Sequence, residues 1–265
     1  MATIGIMDSG VGGLSVLREI LKVLPNENYI YFSDNAFCPY GDKSPDFIRD
    51  RCKAICEHFL SEGAEAMVLA CNTATAAAIS MLRDEYDIPF VGMEPAIKPA
   101  AHKTHSGVVG VLATAGTLKG DKYHITRDLY SGNISVKESV GRGFVELVEK
   151  GELAGAHAKS VVQTSLQPLL DAGADTIVLG CTHYPFLLDT MRAVAGPGVT
   201  FIDPAPAVAA HLKDILVDKG LTTLPDAQNS SAPSTPTSKV KLESSGDDAA
   251  LRRMFAMINS SHYVK

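Results

Sequence analysis

The sequence has no tryptophan, only 6% aromatic residues, and fewer basic than acidic side chains, 24 against 30. Single-stranded nucleic acid is held by aromatic platforms in a basic groove, and duplexes by a basic face, so these shortages argue against nucleic acid as a partner. Long apolar runs are also missing, and none approaches the ~18 residues that a membrane span requires. The opening MATIGIMDSG has neither the basic n-region nor the apolar h-region of a secretory signal, and it reads as a strand entering a glycine turn. The expected location is the cytoplasm, with no membrane partner. Cysteine is scarce and odd in number. Cys38, Cys52, Cys56, Cys71 and Cys181 are widely spaced in a chain of 265 residues, too long to need staples, and a reducing compartment predicts free thiols.

What is present is ample apolar material, 46% of the residues, which excludes disorder of the whole chain. Short apolar or β-branched runs at 3–7, 29–33, 66–70, 88–92, 108–113, 134–138, 176–180 and 199–202 predict strands. Helical patterns over 13–23, 45–61, 74–86, 116–128, 143–150, 156–170, 185–194 and 206–219 alternate with them, and this order predicts parallel sheets covered by helices. Ser44-Pro45 reads as an N-cap followed by proline at the first helical position. Pro168 is expected to kink or shorten its helix. Residues 222–238 are dominated by Ser, Thr and Pro without apolar period, which predicts a poorly ordered solvated loop. Beyond it, 239–243 alternates like a short edge strand and 247–259 has Leu251, Phe255 and Ile258 on one side, so the tail is expected to dock back on the body.

The chain carries an internal repeat. GAEAMVLACNT at 63–73 aligns without gaps on GADTIVLGCTH at 173–183, and each places a cysteine directly after a buried strand. IGIMDSG at 4–10 resembles VGVLATAG at 109–116, and FVGMEPA at 90–96 resembles FIDPAPA at 201–207. Two related α/β halves are implied. Residues just past the carboxyl ends of parallel strands line the ligand crevice, so Cys71 and Cys181 are expected on opposite walls of one cleft. A cysteine beside Val-Leu is often simply core, but matched positions at strand ends, each followed by polar residues, point to chemistry. Cys52 and Cys56, four apart on a helix, read as packing, and Cys38 as a loop thiol near the site.

Two opposed thiols suit a 1,1-proton transfer, in which one sulfur removes a proton from a carbon and the other returns one to the opposite face. A free thiol with pKa ≈ 8.5 is only slightly ionised at neutral pH, so each needs a polar neighbour to take or return its proton. Asp8 and His183 are the candidates, against an Asx-turn for Asp8 and a satisfied loop position for His183. DSGVGG opens the first helix, where backbone N–H groups suit an anion, expected to be a substrate carboxylate. It lacks the third glycine of a dinucleotide fingerprint, although Asp34 stands at a suggestive distance. A zinc site from Cys71, Cys181 and His183 is sparse in ligands.

IGIMDSGVGGLSVL, CPYGDKS, VLACNTATA and VLGCTHYPFL together resemble the aspartate/glutamate racemase family, as does LESSGD in the tail. The resemblance implies an isomerase that interconverts L-glutamate and D-glutamate without a cofactor and supplies D-glutamate for peptidoglycan, hence cell-wall biogenesis and cell shape. It implies that Cys71 serves D-glutamate and Cys181 L-glutamate, with Asp8, His183 and Glu149 assisting. Substrate contacts carried over are Asp8, Ser9, Tyr40, Gly41, Asn72, Thr73, Thr182 and His183, with no metal. The implied fold is two pseudo-symmetric flavodoxin-like domains, 1–97 plus 208–265 and 98–207, with the site in the cleft between them. The expected partner is glutamate, with a homodimer left open. The alternatives are an aspartate-specific relative and a non-catalytic binding protein on the same fold, the latter disfavoured by the intact cysteine pair.

Overall fold

A computed structural model of the chain describes residues 1–130, 132, 134–222 and 238–260. Its strands are β1 (Thr3–Asp8), β2 (Asn28–Ser33), β3 (Ala66–Leu69), β4 (Phe90–Gly92), β5 (Val108–Ala113), β6 (Ser135–Val140), β7 (Thr176–Gly180), β8 (Thr200–Ile202) and β9 (Lys239–Ser244). They form two sheets, ordered β4-β3-β1-β2-β9 and β6-β5-β7-β8, in which every neighbouring pair is parallel. Within each sheet the first strand lies between the second and the third, and the fourth follows the third. This is flavodoxin-like order repeated twice, and it maps β1–β4 onto β5–β8 as the sequence repeat requires.

The helices are α1 (Leu14–Val23), α2 (Pro45–Ser61), α3 (Asn72–Glu85), α4 (Ile97–Lys103), α5 (Ala115–Leu118), α6 (Asp121–Tyr130), α7 (Phe144–Lys150), α8 (Ala156–Asp171), α9 (Leu188–Ala195), α10 (Ala205–Asp218) and α11 (Ala249–Asn259). Local chemistry sets several of their starts. Ser44 Oγ accepts the Phe47 N–H at 3.3 Å with Pro45 behind it, and Thr114 Oγ1 accepts the Thr117 N–H at 3.3 Å. The central strands are apolar on both faces (Ile4, Ile6, Met7 and Met67, Val68, Leu69 are fully buried), as expected where helices cover a parallel sheet twice.

Three readings of the helical pattern need correction. The single helix expected over 116–128 divides into α5 and α6 at Lys119-Gly120, where a Cβ on Gly120 would stand 3.0 Å from that of Ala76. Pro168 does not shorten α8, which continues to Asp171; so near the helix end, proline removes only one hydrogen bond of the final turn. The 185–194 pattern starts as a 3₁₀ turn, Tyr184–Leu187, before α9. Seven-residue α4 and the 3₁₀ turns Asn35–Phe37 and Tyr40–Asp42 are too short to show a period and were not expected.

The tail returns to the body. β9 pairs with β2 from Lys239↔Asn28 to Ser244↔Ser33 and forms the sheet edge. In α11 the buried stripe is Leu251, Met254 and Ile258, with the expected Phe255 only half-buried beside it. The Ser/Thr/Pro stretch lies outside the described residues apart from its ends, Thr222, which donates to Glu27, and Ser238, which donates to the Pro25 carbonyl. All five cysteines are free, and no helix among the described residues is long and apolar enough to cross a membrane.

Candidate active site

One cavity is lined by the ends of both sheets. Ser9, Pro39, Tyr40, Gly41, Cys71, Asn72 and Thr73 form one side, and Thr114, Val145, Cys181, Thr182 and His183 the other. Both thiols therefore face the same space, each 6–7% exposed. Cys71 follows β3 and caps α3, its Sγ accepting the Ala74 N–H at 3.4 Å and reaching Ser9 Oγ at 3.7 Å. Cys181 follows β7 at the equivalent point, with Sγ 3.8 Å from His183 Nδ1. Of the expected contacts, Ser9, Tyr40, Gly41, Asn72, Thr73, Thr182 and His183 line the cavity, and Asp8 lies beneath it. Asn72 Nδ2 is buried without a hydrogen-bond partner, an open donor in the wall.

The two thiols have different neighbours. Asp8 is fully buried, and its Oδ1 accepts the Gly10 N–H at 2.7 Å while Oδ2 accepts the Thr182 hydroxyl at 2.8 Å. The Asx-turn reading of Asp8 is thus correct, and the same carboxylate reaches across to the opposite half. Burial pushes its pKa up to about 6 against the pull of His183 and of these hydrogen bonds. Burial, reinforced by the charge of Asp8, pushes the Cys71 thiol up to about 12, so it keeps its proton at neutral pH.

On the other side, His183 Nε2 donates to Glu149 Oε1 at 2.7 Å, and Cys38 Sγ stands 3.8 Å from the same oxygen. Burial disfavours the imidazolium, but hydrogen bonding to Cys181, Cys38 and Glu149 outweighs it and holds His183 well above its ordinary value. Burial likewise opposes the Glu149 carboxylate, and His183 with the Val11 N–H overcomes it, leaving Glu149 below its ordinary value. Arg253 of α11 donates to the Glu149 carbonyl at 2.8 Å, so the docked tail steadies the end of α7.

The glycine turn behaves differently from expectation. Two of its N–H groups are taken by the protein's own carboxylates, Asp8 on Gly10 and Glu149 on Val11, the latter at 2.8 Å. Its glycines are required by crowding. A Cβ at Gly10 would lie 2.0 Å from Glu149 Oε1, and one at Gly12 would lie 2.2 Å from His183 Nδ1. Gly12→Ala is therefore expected to turn the His183 ring away from Cys181 and to lower stability by about 1–3 kcal/mol, the usual penalty of overpacking. Urea unfolding and the rate of chemistry at the Cys181 side check this; an unchanged rate would place His183 outside the reaction.

Asp34 is not available to a ribose. It is fully buried, accepts two hydrogen bonds from Arg51 at 2.9 and 2.7 Å, and accepts the Tyr40 hydroxyl, while Arg51 stacks on Phe37 at 4.4 Å. This pair holds the Pro39–Gly41 wall in place and ends the dinucleotide reading. Nor do Cys71, Cys181 and His183 form a ligand set. Among the described residues, the three metal-capable side chains that converge are Cys38, Glu149 and His183. Pro39, Thr114 and Val145 line the cavity without having been anticipated. Thr114 was readable, because the repeat places it on Ser9.

Residues 4–212 match the family described as Asp/Glu/Hydantoin racemase. The chain is 46% identical over 258 residues to a glutamate racemase from Pseudomonas putida, covering 97% of this chain and 94% of the relative. Its fold is similar to the crystal structure of glutamate racemase isoform RacE1 from Bacillus anthracis, with TM-score 0.83 and 31% identity over 96% of this chain and 92% of that one. It is also similar to Escherichia coli glutamate racemase in complex with L-glutamate and the activator UDP-MurNAc-ala, with TM-score 0.77 and 34% identity over 91% and 98%.

Proposed function

The chain belongs to the Asp/Glu/Hydantoin racemase family, and from that premise we propose that it is a glutamate racemase that inverts Cα between Cys71 and Cys181. The observation that carries the reading is the placement of two thiols, from equivalent strand ends of two repeated sheets, on one cavity. Relatives that span nearly the whole chain are glutamate racemases, and one structural relative holds L-glutamate.

In the direction from L to D, the Cys181 thiolate takes the Cα proton and the Cys71 thiol gives its own to the opposite face. The C–H bond broken on one side is replaced by one on the other, and the enzyme is left with Cys181 protonated and Cys71 as thiolate. The raised Cys71 thiol suits the donor, and an imidazolium at 3.8 Å pairs with the thiolate form of Cys181. For the reverse reaction, Asp8 is the carboxyl poised near neutrality to receive the Cys71 proton. Glu149 holds His183 in place. Asn72 Nδ2 and the hydroxyls of Ser9 and Thr73 supply donors for the substrate carboxylates, beside Tyr40, Gly41 and Thr182. The thiol pair supplies both base and acid, so the chemistry needs no cofactor. The product, D-glutamate, would serve peptidoglycan synthesis in the cytoplasm.

We divide the chain into 1–97 plus 208–265 and 98–207. In support, α4 packs on β5, β7 and α6, and α10 packs on α1. The test of the function is solvent exchange. Incubated in D₂O without added cofactor, each glutamate enantiomer is expected to yield its mirror image carrying deuterium at Cα, whereas aspartate stays protiated. Absence of exchange from both glutamate enantiomers would end the proposal.

A further inference from the structure

We propose that Cys38, Glu149 and His183 form a three-ligand site for a zinc-like divalent cation, and that its occupancy arrests proton transfer at Cys181. The site itself stands on geometry alone; the arrest rests on the racemase reading above.

Three separate elements converge here. Cys38 follows the turn after β2, Glu149 lies in the last turn of α7, and His183 follows β7, yet their ligand atoms all lie within 4.8 Å of one another. Thiolate, imidazole and carboxylate together suit zinc and its soft or borderline neighbours, whereas magnesium and calcium prefer an all-oxygen set. With Zn–S near 2.3 Å and Zn–N or Zn–O near 2.0 Å, tetrahedral ligand edges fall at about 3.3–3.7 Å. The Cys38 Sγ to Glu149 Oε1 separation of 3.8 Å already fits. The His183 to Glu149 separation of 2.7 Å must open by roughly half an ångström, a side-chain adjustment.

The surroundings are organised for ligation. Glu149 Oε1 is fixed by the Val11 N–H at 2.8 Å, and the second His183 nitrogen faces Cys181, so the ring orientation is set by an outer contact. Gly10 leaves the space, since a Cβ there would stand 3.0 Å from Cys38 Sγ. Cys38 and Glu149 are half-buried, whereas His183 is buried. On binding, the ion replaces the Cys38 thiol proton and the His183 Nε2 proton. A thiol, an imidazolium and a carboxylate become a thiolate, a neutral imidazole, a carboxylate and a dication, so the cluster's net charge does not change.

The consequence follows from His183. With Nε2 bound to the ion, the imidazole no longer offers a cation to Cys181. Cys38 and Glu149 do not line the catalytic cavity, so glutamate does not compete directly for these two ligands. Inhibition should lower kcat far more than it changes KM.

The experiment uses the full chain and Co²⁺ as probe. One equivalent is expected to produce intense tetrahedral d–d bands and a sulfur-to-cobalt charge-transfer band. Both should vanish in Cys38→Ser and in Cys38→Ala, and persist in the Cys71→Ser/Cys181→Ser double variant. Under Zn²⁺, Cys38→Ser should need at least tenfold more ion than wild type for half-inhibition of racemisation. Bands lost in the double variant but kept in both Cys38 variants would put the ion on the catalytic thiols and overturn the site, as would no stoichiometric band in the wild type. Inhibition equal in wild type and Cys38→Ser would overturn the arrest. Cobalt bands as expected in a protein that fails to racemise glutamate would uphold the site and refute the function.

Discussion

Replacing either cavity cysteine by serine is expected to leave an enzyme that works on one face of Cα only. Racemisation needs a base on one side and an acid on the other, and each enantiomer presents its hydrogen to a single sulfur. Serine occupies the place of cysteine, but its hydroxyl is far less acidic, so it makes a poor base. Both variants should lose full turnover by roughly 10²–10⁴-fold, the range for one acid–base partner. A glutamate with a leaving group at Cβ isolates the first step, because elimination follows proton removal without any need for reprotonation. Cys71→Ser should still eliminate from the L form and fail with the D form; Cys181→Ser should do the opposite. Equal failure of both variants with both forms, or wild-type racemisation by either, would refute the two-thiol assignment.

The repeat makes this architecture legible in the sequence. A strand buried on both faces must be apolar throughout, so AMVL and TIVLG announce themselves, and a cysteine at the same offset after each marks two equivalent strand ends. Strand order then brings Cys71, Cys181, Asp8 and His183 around one space, as the rule for carboxyl ends of parallel strands anticipates. What stayed hidden depends on contacts between distant segments. Glu149 lies 138 residues from Val11, whose N–H it accepts, and nothing in FVELVEKG says that α7 ends beneath the glycine turn; only the family resemblance pointed there. Cys38 meets Glu149 across 111 residues, and a lone loop thiol carries no sequence mark of such a partner. Asp34 illustrates the converse: its spacing from the glycines suggested a ribose ligand, while burial commits it to Arg51 and Tyr40. The break between α5 and α6 falls at Lys119-Gly120, where a Cβ on Gly120 would stand 3.0 Å from that of Ala76 in α3, a contact that local periodicity does not contain.

Asp8→Asn is expected to make the protein more stable at neutral pH and much slower at the Cys71 side. The folded-state pKa of Asp8 is about 6, above its ordinary 3.8. The native state therefore holds this proton more tightly than the unfolded chain does. Its contribution to stability is fully present below pH 4 and is lost as pH rises through 6. Above that, a buried carboxylate persists at a cost of about 3 kcal/mol, two pKa units at 1.36 kcal/mol each. Asparagine is neutral at every pH, and its side chain can still accept from Gly10 and donate to the Thr182 oxygen, so the two hydrogen bonds have replacements. The gain should thus appear in urea unfolding at pH 8, up to about 3 kcal/mol, and shrink towards zero by pH 4. Activity should move the opposite way, because an amide cannot receive the Cys71 proton. Elimination from the D form is expected to fall roughly 10²–10⁴-fold while the L form is spared. A variant less stable than wild type at pH 8 would show that the hydrogen bonds, not the buried charge, dominate at this position. Unchanged elimination from the D form would remove Asp8 from the proton path. If both expectations hold, the site keeps an ionisable carboxylate at the expense of stability because the chemistry at Cys71 requires it.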